Sequence, residues 1–246
     1  MYLMRAASLV FWLAVWSIAS YIIGNDIFLP SPVDVIRRFF GLILTYEFYN
    51  TVSMTVGRIL FGFFLALFTG IILAVISGIF KPFMILVAPF MTALKSVPVA
   101  SFVILALLWF KSEYLSSFIS FIMVLPIIYL NVLNGIDVCD KKITDMAKVF
   151  RIPIFTRVSH IYLPFITGYL KTGCSVALGL CWKAGIAAEL IGVPDGTIGE
   201  RLYFSKIYFD MSDLFAWTVA IIFISLVFEK VFMYILGKLI SIYERM

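Results

Sequence analysis

An all-α, polytopic membrane bundle of about six spans is the fold class this sequence predicts, and three observations carry it. Hydrophobic residues make up 63% of the 246 positions and charged residues only 13%, whereas soluble domains are about 45–50% apolar and about 25% charged. Long apolar runs recur at the length, about 20 residues, that carries a helix across a hydrocarbon core. Cations concentrate in one segment, residues 140–164, which holds Lys141, Lys142, Lys148, Arg151 and Arg157, the pattern of a cytoplasmic loop. The net charge of +5 is thus a topological signal, and no nucleic-acid partner is expected. Cys139, Cys174 and Cys181 show no C-x-x-C or metal-ligand spacing, so neither a metal site nor a disulfide framework is expected.

In chain order, span one covers residues 6–24 and has no small-x-small cleavage pattern after it, so it reads as a retained span. Pro30 and Pro32 then break the chain, and Ser31 or Asp34 can cap a short amphipathic helix at the membrane surface. Span two, residues 55–79, carries Gly62, Ala66, Gly70, Ala74 and Gly78 at four-residue spacing. That spacing places small residues on one face, where another helix can approach closely. Span three, residues 85–110, contains Pro89 and Pro98. Their bends free backbone carbonyls, which lipid does not satisfy, so this span should face the protein interior. Span four, residues 114–136, holds Pro126, Asn131 and Asn134; span five covers residues 165–190 and span six residues 214–236. With the N-terminus inside, Arg5, Lys81, the basic segment and the C-terminal tail all face the cytoplasm. Arg37, Arg38, Arg201 and Lys206 lie outside, in loops that also hold acids.

The basic segment reads as two helices with a break. Asp140 can cap the first, which runs to Phe150; Ile152 is biased to extended backbone by Pro153, and Pro153 suits the first turn of the second. Met146, Val149 and Phe150 give the first helix an apolar face. The chain is therefore read as a single transmembrane domain over residues 1–246, with residues 140–164 as the place where it meets a soluble partner.

Ionisable groups inside spans are costly and usually face protein or water. Arg58, Lys95, Lys171, Lys183 and Glu189 are the candidates, Glu189 being read as the one intramembrane acid. Lys95 and Lys183 would give a pathway positive character suited to an anion, with Ser96, Pro98 and Trp182 beside them. The alternative is that each snorkels or forms a structural pair, as fits Arg58 and Lys171 near span ends. Lys183 and Glu189, six residues apart, lie on largely different faces. No G-x-x-x-x-G-K-[ST] loop occurs in the chain, so any ATP must be hydrolysed by another polypeptide. An ion-gradient carrier would show inverted repeats and several buried acids. An intramembrane enzyme would need a cluster of ligands or a nucleophile with its base, and His160 stands alone.

Asp145, Met146 and Ala147, followed by Ile161, Tyr162, Leu163 and Pro164, resemble the EAA loop of importer permeases of the ATP-binding cassette class. Asp145 stands where that pattern has Glu, and Arg151 where it has Gly; Pro153 would set the turn instead. The run Leu29-Pro30-Ser31-Pro32-Val33-Asp34-Val35, the entry to span two around Arg58, residues 94–102 and residues 177–192 are similar to the nitrate, sulfonate and taurine branch. The resemblance implies a type I importer fold in the bacterial inner membrane, with Asp145, Met146, Ala147, Val149, Phe150 and Arg151 forming a coupling helix. It also implies a second permease copy, a cytoplasmic ATPase dimer binding ATP and Mg, and an extracytoplasmic binding protein that delivers a small anionic or polar solute. Related branches import vitamin precursors such as a thiamine pyrimidine or riboflavin. No cofactor is implied for this chain itself.

Overall fold

The computed structural model describes residues 2–139, 146, 149–150, 152–157 and 162–243, and among them the secondary structure is helical. The helices are α1 (Tyr2–Ile23), α2 (Pro32–Ile43), α3 (Tyr46–Ile79), α4 (Lys81–Ser96), α5 (Val99–Ala106), α6 (Ser112–Asp137), α7 (Ile154–Arg157), α8 (Leu163–Gly192), α9 (Ile198–Ile207) and α10 (Met211–Tyr243). By length and composition α3, α6, α8 and α10 each suffice to cross a membrane, and α4 with α5 forms a fifth, broken crossing. Helix α1, 22 residues long, has the ~33 Å reach of a sixth.

Helix α6 is the axis of the bundle, held between α3 and α8. Its long run of buried side chains, from Leu115 to Ile136, explains why a span with two asparagines and a proline is stable: nearly every face meets protein. Pro126 sits inside it without ending it. On the α3 side, a Cβ added to Gly62 would stand 2.2 Å from the Ser117 carbonyl oxygen, and one on Gly70 or Gly78 would meet Ile128 at 3.0 Å or Ile136 at 2.8 Å. Ala66 and Ala74 between them are fully buried. The small residues thus set the distance between two helices that run parallel, since both numberings rise together along the seam. On the α8 side, Gly173 meets Asn131 and Gly185 meets Ser120, so those helices run antiparallel. Tyr129 donates to Ser77 Oγ at 3.0 Å, tying α6 to α3 at the inner end.

Three element bounds differ from the sequence expectation. Helix α3 begins at Tyr46, nine residues before the expected span, because Thr45 caps it by accepting from the Phe48 amide. Helix α10 likewise extends to Met211 and Tyr243, beyond residues 214–236. The expected third span is not one bent helix: α4 and α5 meet at 103°. Pro89 is accommodated within α4, whereas Val97 and Pro98 adopt extended backbone, and the Pro98 carbonyl accepts from the Phe102 amide to start a new helix.

Of the two caps the sequence offers, Ser31 and Asp34, it is Ser31 that opens α2, accepting from the Asp34 amide at 3.2 Å, with Pro32 in the first turn. Helix α1 is fixed by Trp16, which donates to the Pro30 carbonyl, and by Ser20, which donates to the Leu29 carbonyl. The outer loops are joined by ion pairs that place their cations and acids together: Arg38 bonds Asp213 at 2.7 Å, and Arg201 pairs with Glu47.

Candidate functional site

The residues of interest fall at three depths. At the inner end, Met146, Val149 and Phe150 are exposed, Val149 at 78% and Phe150 at 72%. Asp145, Ala147 and Arg151, like Asp140, Lys141, Lys142, Lys148 and His160, lie outside the described residues. Pro153 precedes the short α7, where Arg157 donates to the Ile152 carbonyl at 3.1 Å. Helix α8 then begins at Leu163 with Pro164 in its first turn, a position where proline forfeits no intrahelical bond.

At mid-depth, Lys95, Ser96 and Pro98 are exposed at the break between α4 and α5, and α5 rests on α8. Lys183 is exposed on α8, while Trp182 beside it is buried at its edge and leaves its Nε1 without a hydrogen-bond partner among the described residues. A groove of about 510 Å³ runs between α8 and α10, and Gly179, Trp182, Lys183, Ser225 and Glu229 are in its lining. Glu229 escaped the sequence reading, which counted Glu189 as the sole intramembrane acid. The signal was there: a carboxylate near the middle of a 33-residue apolar helix. Ser175 on α8 donates to Glu229 Oε1 at 2.8 Å.

At the outer end, Glu189 is 0% exposed. Expected beside a pathway, it is instead enclosed between helices. Its Oε2 accepts from Thr55 Oγ1 at 2.9 Å and from the Gly199 amide at 3.3 Å, and Thr55 Oγ1 accepts from the Ile198 amide at 3.0 Å. The carboxylate therefore caps the start of α9, where a negative charge is favoured, and fastens it to α3. A Cβ on Gly199 would lie 2.2 Å from Glu189 Cβ, so α9 can seat this closely only through glycine. The turn leading there holds Val193 at φ 45°, a left-handed conformation that is costly for a β-branched residue. Further out, Ser205 donates to Asp213, which also receives Arg38, and the Asp213 amide donates to Asp210. Sequence could not pair Arg38 with Asp213, since nothing local links positions so far apart.

Among the described residues no group of three or more His, Cys, Asp or Glu side chains could hold a metal ion, and Cys139, Cys174 and Cys181 are buried.

Residues 66–241 match the family model described as binding-protein-dependent transport system inner membrane component. The chain is 25% identical over 207 residues to a Bacillus subtilis protein assigned as the aliphatic sulfonates transport permease SsuC, covering 83% of this chain and 74% of that one. It is 26% identical over 203 residues to the nitrate import permease protein NrtB of Synechococcus elongatus, covering 78% and 72%. NrtB of Synechocystis is 26% identical over 196 residues, covering 76% and 70%. In such systems the permease is not an enzyme, and a separate ATPase subunit hydrolyses ATP. With the family match over most of its length and a polytopic helical fold, the chain belongs to the inner membrane components of binding-protein-dependent transport systems, as the transmembrane permease subunit of an ATP-binding cassette importer in the bacterial inner membrane.

Proposed function

We propose that this subunit imports a small anionic or polar solute of the nitrate, sulfonate or taurine kind. The observation that supports this best is the placement of Lys95 and Lys183: both are exposed on helices of the membrane region, and neither forms an ion pair among the described residues. An unpaired cation at that depth is costly, and a passing anion offsets the cost. Ser96, Pro98 and Trp182 adjoin these lysines, while Glu189 is enclosed among α3, α8 and α9. The relatives named for nitrate and sulfonate import agree in solute charge.

The transporter we envisage has two copies of this chain, a pair of ATPase subunits holding ATP and Mg, and a binding protein on the outer side. Residues 140–164 are the coupling segment, with Met146, Val149 and Phe150 as its apolar docking face beside Asp145, Ala147 and Arg151. Such a segment transmits motion if both partners have two discrete packings. The test is uptake in proteoliposomes holding the assembled transporter. A Lys95→Met, Lys183→Met double variant should lower anion uptake by at least about tenfold, ~1.4 kcal/mol. Uptake at the unsubstituted rate would remove the pathway assignment.

A further inference from the structure

Arg58 keeps a charge in the membrane region that the fold does not neutralise by direct contact. It is half-buried on α3, and its Nη1 is enclosed with no hydrogen-bond partner among the described residues. No carboxylate among them lies within ion-pair distance, so the structural pair expected for this arginine is not formed there. Glu189 attracts it only from farther off, while bonding Thr55 and the Gly199 amide.

Two hollows join beside this arginine. The first, about 320 Å³, has Gly57, Arg58 and Glu113 in its lining. The second, about 430 Å³, shares Phe61, Tyr114 and Ser117 with the first and continues along Leu65, Phe118 and Phe121. The Ser117 hydroxyl is spent on the Arg58 carbonyl at 2.8 Å, and the Phe110 and Phe118 rings, 4.5 Å apart between centroids, form an aromatic wall. The seam between α3 and α6 fixes the depth. Gly62 meets Ser117 and Gly78 meets Ile136, so Arg58 stands level with the first turn of α6, which carries Glu113. Leu65 lies seven residues farther along α3, about 10 Å toward the bilayer centre. Charge thus sits at the interfacial end of the double hollow, and apolar surface at the end nearer the hydrocarbon.

We infer that this face of α3 and α6 binds one phospholipid, its phosphate on Arg58 and one acyl chain along Phe61, Leu65, Phe118 and Phe121. A guanidinium suits a phosphate in geometry as well as charge, and a cation between helices at headgroup depth is where lipid phosphates are recognised. A free solute anion would use the first hollow and leave the second unfilled. Glu113 in the first hollow disfavours a second negative charge there, which makes phosphatidylethanolamine the probe. Bound in this way, the lipid bridges α3 and the start of α6 beside the Glu189 clasp.

The test takes the transporter purified with its ATPase, strips it of lipid in detergent, and counts bound lipid by native mass spectrometry as phosphatidylethanolamine is added back. Diacylglycerol, which lacks the phosphate, and inorganic phosphate, which lacks the chains, should each bind at least about tenfold more weakly. Arg58→Gln should weaken phosphatidylethanolamine binding by a similar factor, and Arg58→Lys should keep part of the affinity. Leu65→Trp should fill the apolar hollow and weaken binding several-fold with Arg58 intact. It decides the matter if Arg58→Gln fails to fold, seen as failure to co-purify with the ATPase. Diacylglycerol bound as tightly as phosphatidylethanolamine would overturn the site, as would a Leu65→Trp transporter with undiminished affinity; both are results of non-specific annular lipid. Crosslinking of Phe61→Cys to the same cysteine of a second copy in membranes would also overturn it, since protein would then cover the face. None of these outcomes depends on which solute the transporter carries.

Discussion

Glu189 and Thr55, separated by 134 positions in sequence, share a buried hydrogen bond of 2.9 Å that joins the last turn of α8 to the outer half of α3. Through the Ile198 and Gly199 amides the same pair holds the first turn of α9. One acid thereby fixes three helices at the outer end.

Thr55→Val removes a donor from a buried carboxylate and an acceptor from the Ile198 amide. It should destabilise the solubilised protein by about 1–3 kcal/mol, read as a lower midpoint of thermal unfolding. Thr69→Val is the comparison: on the same helix, the Thr69 hydroxyl donates only to the Leu65 and Ala66 carbonyls of its own preceding turn, so its loss should be near neutral. Equal effects of the two would contradict the clasp.

Gly62→Ala should cost about 1–3 kcal/mol through overpacking, because the new methyl would meet backbone, the Ser117 carbonyl at 2.2 Å. Gly57, on the same helix, has nothing within 4 Å of its Cβ position. Gly57→Ala should change stability by no more than about 0.5 kcal/mol. Thermal unfolding of the two variants side by side decides whether contact with α6 or glycine content matters.

Asp213→Asn weakens the bond to Arg38, whose side chain is half exposed, while Ser205 and Asp210 still hold the residue. Solvent screening keeps the loss to about 1 kcal/mol or less, so the spans should stay folded. The expected readout is faster proteolysis between α9 and α10, and a smaller difference between variant and unsubstituted protein in high salt. A global loss of fold would show that the outer ion pair carries more than local order.

Phe150→Asp places a charge on the exposed apolar face proposed to dock the ATPase. ATPase stimulation by the binding protein should fall while the spans keep their unfolding midpoint; Asp145→Lys and Ala147→Trp should act alike. Full transport by all three variants would refute the docking assignment.

Much of this architecture could be read before any coordinates. Apolar runs located α3, α6, α8 and α10, because backbone groups in lipid must bond within their own helix. Pro30, Ser31, Pro32 and Asp34 located the start of α2 to within a turn, since a capping bond joins residues three apart, and the structure selects Ser31 over Asp34 as the cap. What stayed hidden was non-local. Pro89, Pro98 and Pro126 look alike in sequence, yet only at Pro98 does the chain turn by 103°. Pro89 and Pro126 lie inside continuous helices.

Sequence by itself determined that the chain crosses a membrane and that one face of α3 is cut for close approach; each follows from the length or spacing of neighbouring residues. Only the tertiary structure decided that this face meets α6 in parallel, that Glu189 is enclosed as a clasp, and that Glu229 shares a groove with Lys183. A charge's environment is set by the helices packed around it, and their rotation and register are fixed by contacts between residues far apart in the chain.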